Sequence, residues 1–324
     1  MRDGGAIQQV EAIDRGRTLE GDSLAQTDTA QRGPWVLLVW MAFLRPAHWS
    51  KNLLVAVPPV FAHSPLSLDL SSRVAAGIVA MSLAASAGYI INDLKDAAFD
   101  RLHAHKRQRP IAQGVIRPTS ALAAVLVLVA TSLGIAASLL GSTATWMIVA
   151  YLGATIAYSS YFRRVAGADI LVLAGLYIWR LLIGGEIAGT PLSAWLICFA
   201  ANLFIALALM KRLDELASLE PSTVLGRGYT GSHRPALLTS TILFATLAML
   251  VSAAYVAFSE AALIYYRNPG WLWLSTVAFV LWLAHLLRRS TAGKIAGDPV
   301  VFTATDPTSL VLIAGGTIAY IAAI

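Results

Sequence analysis

Apolar stretches long enough to cross a bilayer recur along this chain, and short polar connections between them hold most of its charge. They fall at about 49–64, 74–92, 120–140, 144–160, 169–188, 192–210, 236–258, 271–287 and 308–324. Each approaches the roughly 20 residues that a helix needs to span the hydrocarbon core. Pro58-Pro59 interrupts the first stretch, a break that neighbouring helices can accommodate. Gly141-Ser142-Thr143 and Gly189-Thr190-Pro191 are short enough to be tight turns between antiparallel helices. The pattern predicts an all-α membrane protein, a bundle of nine transmembrane helices. The Trp-containing piece ahead of the first stretch is short for a span and predicts an interfacial helix at about 34–45. Residues 1–33 are polar, with six acids and four arginines. They contain no apolar core of signal-peptide length and read as a disordered cytoplasmic tail.

Composition supports the membrane reading: 57% of the 324 residues are hydrophobic and 13% charged. A soluble domain averages about 25% charged, so a soluble enzyme, a disordered protein and a secreted disulfide scaffold are excluded. The single cysteine, Cys198, lies in an apolar stretch and offers neither an internal disulfide nor a cysteine metal site. A net charge of +6 would suggest nucleic acid in a soluble protein. No basic run alternates with aromatics outside the spans, so no nucleic-acid partner is expected.

The positive charge sets an orientation instead. The loops at 93–119, 161–168, 211–235 and 288–307 hold six, two, four and three Lys/Arg, and the segment up to Lys51 adds six. The opposite loops hold only Arg73 and Arg267. Lys and Arg accumulate in cytoplasmic loops, which places the N-terminus inside and, with nine spans, the C-terminus outside a plasma (inner) membrane. Nine of the twelve acids beyond the tail share that cytoplasmic face. The positive-inside rule does not explain the acids. Acids beside bases at one mouth point to a site for a metal-bound polyanion.

Four constellations carry the chemistry. In Asn92-Asp93-Leu94-Lys95-Asp96-Ala97-Ala98-Phe99-Asp100, positions 92, 96 and 100 fall at i, i+4 and i+8 of a continuing helix, with 93 beside them. Three carboxylates and an amide are hard oxygen ligands suited to Mg²⁺ that also takes phosphate oxygens; a solvated acidic helix end is the plain alternative. Basic residues follow: Arg101, Lys106, Arg107 and Arg109. Arginine forks grip phosphate oxygens bidentately, although attraction to the inner leaflet would use the same residues. Lys211-Arg212-Leu213-Asp214-Glu215 after the sixth span occupies the equivalent place one half-protein later, with Arg227-Gly228-Tyr229 in the same loop. Arg180, in mid-span, costs at least about 2.5–3.5 kcal/mol on insertion scales and must face a polar partner or a substrate anion. Arg45-Pro46-Ala47-His48-Trp49-Ser50-Lys51-Asn52 enters the first span and could hold an anionic head or anchor the helix. His103 and His105 form an H-x-H pair in a polar loop, with a metal role less expected than none.

Together these motifs resemble the UbiA-type intramembrane prenyltransferase superfamily, whose first acidic motif is N-D-x-x-D-x-x-x-D. Within it the chain is similar to the decaprenyl-phosphate phosphoribosyltransferase branch. The features are R-P-x-x-W-x-K-N at 45–52, K-R-x-R-P at 106–110, Y-S at 158–159 followed by Asp169, R-x-x-x-G-G at 180–185, and K-R-x-x-E at 211–215 in place of a second acidic motif. The resemblance covers about residues 40–324. Arg163 stands where the branch usually has Lys, and the tail has no counterpart.

The resemblance implies a transmembrane catalytic domain at 34–324, opening to the cytoplasm. It would transfer 5-phosphoribose from 5-phosphoribosyl diphosphate to a polyprenyl (decaprenyl) phosphate and release diphosphate, as in actinobacterial cell-wall arabinan precursor synthesis. Asn92, Asp93, Asp96 and Asp100 would hold Mg²⁺, and Asp93, Asp96, Asp100, Lys211 and Glu215 are the candidate catalytic residues. Arg45, Lys51, Asn52, Arg101, Lys106, Arg107, Arg109, Tyr158, Arg163, Arg180, Arg212 and Tyr229 are the candidate substrate contacts. A homo-oligomer is compatible with this plan. The nearest rival moves a prenyl group from a prenyl diphosphate to an aromatic acceptor; a second pair of metal-binding acids would favour it, whereas Lys211-Arg212 favours a phosphorylated sugar. A transporter should place charges on several spans, and only Arg180 and Glu186 qualify.

Overall fold

The computed structural model describes residues 39–41, 43–61, 67–101, 106–217, 228–295 and 297–324. The expected tail, part of the expected interfacial helix, His103, His105 and Arg227 lie outside these residues. Residues 39–41 and 43–44 are helical, in line with the C-terminal part of the expected interfacial helix. Eight helices form the bundle: α1 (Leu68–Asp100), α2 (Pro118–Leu139), α3 (Ser142–Ser160), α4 (Ala168–Ala188), α5 (Ala194–Ala217), α6 (Arg234–Phe258), α7 (Gly270–Thr291) and α8 (Pro307–Ala323). Among the described residues, six helices are long and apolar enough to cross a membrane: α1, α2, α4, α5, α6 with the short turn before it, and α7. The protein is an all-α, multi-pass membrane protein.

The ends of these helices follow local chemistry. The Ser67 hydroxyl caps α1 by accepting from the Leu70 N–H at 3.1 Å. Pro118 starts α2 and Pro307 starts α8, where the missing N–H is no loss. The Asp306 carboxylate accepts the Ser309 N–H at 2.8 Å and closes the first turn of α8. Both expected tight turns are present: Gly141 has φ 93° between α2 and α3, and Gly189 has φ 66° after α4. Glycine adopts such angles without the steric cost that other residues carry.

The first apolar stretch takes a form that the pattern did not specify. Pro46–Ala56 is a 3-10 helix of 11 residues, followed by a single α-turn, Val57–Phe61. Runs of 3-10 helix beyond a few residues are uncommon. The prolines at 46, 58 and 59 limit backbone hydrogen bonding at both ends of this segment. The segment packs against α1, α4 and the short helix Pro299–Thr303. Gly184 of α4 makes the approach close, because a Cβ there would collide with the Val55 carbonyl oxygen.

Helices α1, α4 and α5 are the most enclosed, whereas α2, α6 and α7 turn most of their surface outward. One apolar core joins α1 to α3 and α4 through Met81, Ile148, Tyr151 and Ile183. A second joins α4, α5, α6 and α7 through Tyr177, Phe204, Leu207 and Leu283. Outward positions remain apolar, as at Leu122, Leu126, Leu250 and Val311, which suits hydrocarbon rather than water. The ends of α1, α3, α5 and α7 and the starts of α4 and α8 meet at one end of the bundle. The acidic and basic motifs collect there.

Candidate active site

The first motif lies on the last turns of α1, and the helix continues through it without interruption. Three arginines from three other segments close on its carboxylates. Arg45 Nη2 donates to both oxygens of Asp93, at 2.8 and 2.7 Å. Arg109 Nη1 donates to Asp93 at 3.0 Å and to Asp100 at 2.7 Å. The Arg163 guanidinium meets Asn92 Oδ1 at 3.0 Å and the two oxygens of Asp96 at 2.7 and 3.1 Å. Arg45 is the single non-glycine residue with positive φ among those described, at 54°. Its guanidinium lies over the Tyr89 ring at 5.4 Å from the centroid. A left-handed backbone of this kind at a clustered site is a strain that the surrounding contacts must hold.

Among the described residues, no three His, Cys, Asp or Glu side chains converge to hold a metal ion. The donors come in pairs instead: Asn92 with Asp96 around Arg163, and Asp93 with Asp100 around Arg109. In both, a cation already bridges two hard oxygen ligands. Such pairs fit Mg²⁺, which uses one or two protein carboxylates and completes its shell with waters and phosphate oxygens.

The second motif divides between two tasks. Lys211 Nζ lies 3.4 Å from Asp298 Oδ2, and Lys51 Nζ reaches the same oxygen at 2.6 Å. The Tyr177 hydroxyl donates to Asp298 Oδ1 at 3.0 Å. Burial alone would raise the Asp298 carboxyl, but the Lys51 and Lys211 ammoniums and the hydrogen bonds from Lys51 and Tyr177 hold it well below the usual carboxylate range. Asp298 is one of the nine acids of this face, but no local spacing ties it to Lys51, 247 positions earlier.

Arg212 turns the other way, into the protein. Its Nε donates to Asp169 at 2.6 Å, Nη1 to Glu215 at 2.5 Å and Nη2 to the Tyr158 hydroxyl at 3.2 Å. Tyr229 donates to Asp169 at 2.7 Å and accepts the Gly167 N–H at 2.7 Å. Burial first, and the bond to Asp169 second, push the Tyr229 hydroxyl up to about 12. Four residues expected on substrate or in catalysis thus form a buried lock between α3, α4, α5 and the loop before α6. Asp214 accepts the Ile295 N–H at 2.8 Å and the Gly297 N–H at 3.4 Å, and so clamps the loop that presents Asp298.

Arg180 is buried in the bundle. It donates to Asn52 at 2.8 Å and to the Tyr151 hydroxyl at 2.7 Å, and Asn52 donates onward to Ser82 at 3.0 Å. Tyr151 and Tyr177 also present their rings to the guanidinium at 5.0 and 5.5 Å. The polar partner that its depth required is therefore an amide and two tyrosines. Arg101 donates to the Ala112 carbonyl at 3.2 Å. Arg107 is exposed, and Lys106 lies in the turn Lys106–Gln108. Beside Asn52, an apolar cavity of about 290 Å³ is lined by Trp49, Leu53, Ile78, Val79 and Leu83.

The same architecture occurs in a solved UbiA homolog from Archaeoglobus fulgidus bound to GPP and Mg²⁺. The two superpose with TM-score 0.66 at 19% identity, over 87% of this chain and 99% of that one. The uncharacterized protein y4nM of Sinorhizobium fredii is 34% identical over 83% of this chain, which spans about half (53%) of y4nM. The decaprenyl-phosphate phosphoribosyltransferase of Mycobacterium tuberculosis is 30% identical over 79% of this chain and 84% of its own length. The profile of the UbiA prenyltransferase family matches residues 52–302, a range that holds the paired aspartates, the inward Arg212 and Asp298. The chain belongs to the UbiA prenyltransferase family.

Proposed function

We propose that the protein is an integral-membrane, Mg²⁺-dependent glycosyltransferase of the cytoplasmic face of the inner membrane. It moves 5-phosphoribose from 5-phosphoribosyl diphosphate to a polyprenyl phosphate and releases diphosphate, in the manner of cell-wall arabinan precursor synthesis. The observation that carries the choice of donor is the second motif. Lys211 meets Asp298, whereas Asp214 is bonded to the Ile295 and Gly297 N–H groups and Glu215 to Arg212. A second carboxylate pair for a prenyl diphosphate is thereby replaced by an ammonium suited to a phosphorylated sugar. The likeness to the mycobacterial phosphoribosyltransferase over 79% of the chain supports the same reading.

In this mechanism Asn92, Asp93, Asp96 and Asp100 would hold Mg²⁺, which would supply charge neutralisation for the departing diphosphate. Arg163 and Arg109, which bridge those carboxylates now, transfer their forks to diphosphate oxygens when the donor enters; an arginine fork matches phosphate as well as carboxylate. Displacement at the anomeric carbon has oxocarbenium character, as in other glycosyl transfers. The acceptor phosphate has a second pKa near 6 and is already anionic at neutral pH, so the site needs no strong general base. The apolar cavity beside Asn52 offers the lipid tail a berth between Pro46–Ala56 and α1.

A second reading is prenyl transfer from a prenyl diphosphate to an aromatic acceptor. It is favoured by the fold shared with the Archaeoglobus homolog, which binds GPP and Mg²⁺. Purified protein in detergent, with Mg²⁺, labelled 5-phosphoribosyl diphosphate and decaprenyl phosphate, decides between them. Label passing into the lipid phase, and ceasing on chelation, is the expected result. No transfer, alongside turnover of geranyl diphosphate with an aromatic acceptor, would install the second reading.

A further inference from the structure

Charge around the Tyr177 ring does not balance. Lys51 Nζ is 5.6 Å and Arg180 Cζ 5.5 Å from its centroid, and Lys211 approaches from α5. Against these three cations stands, among the described residues, one carboxylate, Asp298, its side chain 6% exposed. The other described acids at this end are engaged elsewhere, Asp306 with His285 at 2.9 Å. Asp93, Asp96 and Asp100 meet Arg45, Arg109 and Arg163; Asp169 and Glu215 meet Arg212; Asp214 holds backbone N–H groups. Surplus positive charge withdrawn from water is costly unless it is paired. A phosphate monoester carries about 1.5–2 negative charges and three acceptor oxygens, which matches the surplus better than a carboxylate does.

We propose that Lys51, Lys211 and Tyr177 form a site for a phosphate monoester, and that the Asp298 carboxylate holds this site in the substrate-free protein and competes with the phosphate for it. The inference rests on the phosphoribosyl-transfer reading, in which two monoesters meet: the polyprenyl phosphate of the acceptor and the 5-phosphate of the donor. Asp298 is tethered by Gly297, whose φ of +135° suits glycine alone. The loop is clamped by Asp214 through the Ile295 and Gly297 N–H groups. Seating of Asp298 thus uses a backbone that glycine adopts freely and that any other residue at 297 would disfavour. The apparent affinity of a site is reduced by the fraction of molecules in which it is open, so weakening the tethered competitor should raise it.

The test is titration calorimetry of the full chain in detergent, without divalent metal, using inorganic phosphate, ribose 5-phosphate and farnesyl phosphate as probes. Asp298→Asn should bind inorganic phosphate about tenfold more tightly than the parent protein, and adding Lys51→Met should abolish the gain. Gly297→Ala keeps every charge, and its Cβ meets nothing within 4 Å. It disfavours only the backbone that seats Asp298, and should tighten phosphate binding about threefold. If Asp298→Asn does not fold, Gly297→Ala decides alone. A gain shared by farnesyl phosphate assigns the site to the acceptor, and a gain shared by ribose 5-phosphate assigns it to the donor. Unchanged or weaker phosphate binding in the folded variants overturns the proposal, as would a gain absent from both organic phosphates. Tighter phosphate binding with no phosphoribosyl transfer would refute the transfer reaction while leaving the competition standing.

Discussion

Arg212 Nε donates to Asp169 Oδ2 at 2.6 Å, with both side chains at 0% exposure. One partner comes from α5 and the other from the first turn of α4, so the pair ties together the two most enclosed helices of the second core. Such pairs do little for stability against an apolar substitute, but losing one partner strands a buried charge at about 3–5 kcal/mol. Asp169→Asn and Arg212→Met should each lower the thermal midpoint in detergent sharply, and Tyr229→Phe should cost only about 1 kcal/mol. Circular dichroism melting checks this. If Arg212→Met kept the parent midpoint while losing activity, Arg212 would return to the substrate.

Asp96 gives the cleaner test of the metal assignment. Its side chain is more exposed than that of Asp93, and its bonds include those to Arg163 and Asn92. Asp96→Ala should remain folded and lose turnover. Arg163→Lys should keep activity but surrender the fork, releasing one Asp96 oxygen. The Mg²⁺ concentration for half-maximal activity should then fall about threefold, since a competing cation is weakened. A Mg²⁺ requirement that is unchanged or higher in Arg163→Lys would show that the arginine does not compete for this carboxylate.

The legible parts of this site are those in which geometry is local. Asn92, Asp96 and Asp100 repeat at helical spacing, so their common face follows from α1 alone. Gly141 and Gly189 interrupt apolar runs where only a turn can follow, and the depth of Arg180 demanded a buried partner. The contacts of Lys211 and Arg212 were not legible. Adjacent helix positions point about 100° apart, and which one meets Asp298 depends on how α5 is rotated against α4 and α7. Asp298 lay beyond reach for a related reason: its partners Lys51 and Lys211 belong to elements far away in sequence. The first apolar stretch shows the limit of hydropathy itself, which registers about 49–64 as a span and is blind to the 3-10 backbone of Pro46–Ala56.

That stretch depends on Gly184. A Cβ at this position collides with the Val55 carbonyl oxygen and presses on Pro58, and backbone cannot move aside as a side chain can. At Gly77 the collision is with the far end of the Ile187 side chain, which can rotate. Gly184→Ala should therefore cost about 1–3 kcal/mol or more, as overpacking does in tight cores, and Gly77→Ala markedly less. Because Pro46–Ala56 carries Lys51 and Asn52, Gly184→Ala should also weaken phosphate binding. Equal melting points for the two variants would contradict the close packing of α4 on this segment.

The last expectation concerns pH. His48 sits between the two charged clusters, its ring 5.0 Å from that of Tyr89. Burial first, then the Lys51 ammonium, push its imidazole from 6.5 down to about 4; Arg45 and Lys211 act in the same direction, and Asp298 opposes them. The folded protein therefore keeps His48 neutral where the unfolded chain takes up a proton. Between about 6.5 and 4 the unfolded state binds more protons, so stability must fall as the pH is lowered through that window. Melting of the parent protein at pH 7 and pH 5 should show this loss, and His48→Gln, which cannot titrate, should reduce it. If His48→Gln left the pH dependence of melting unchanged, the loss would belong to other groups, and His48 would have to be protonating in the folded state as readily as in the unfolded one.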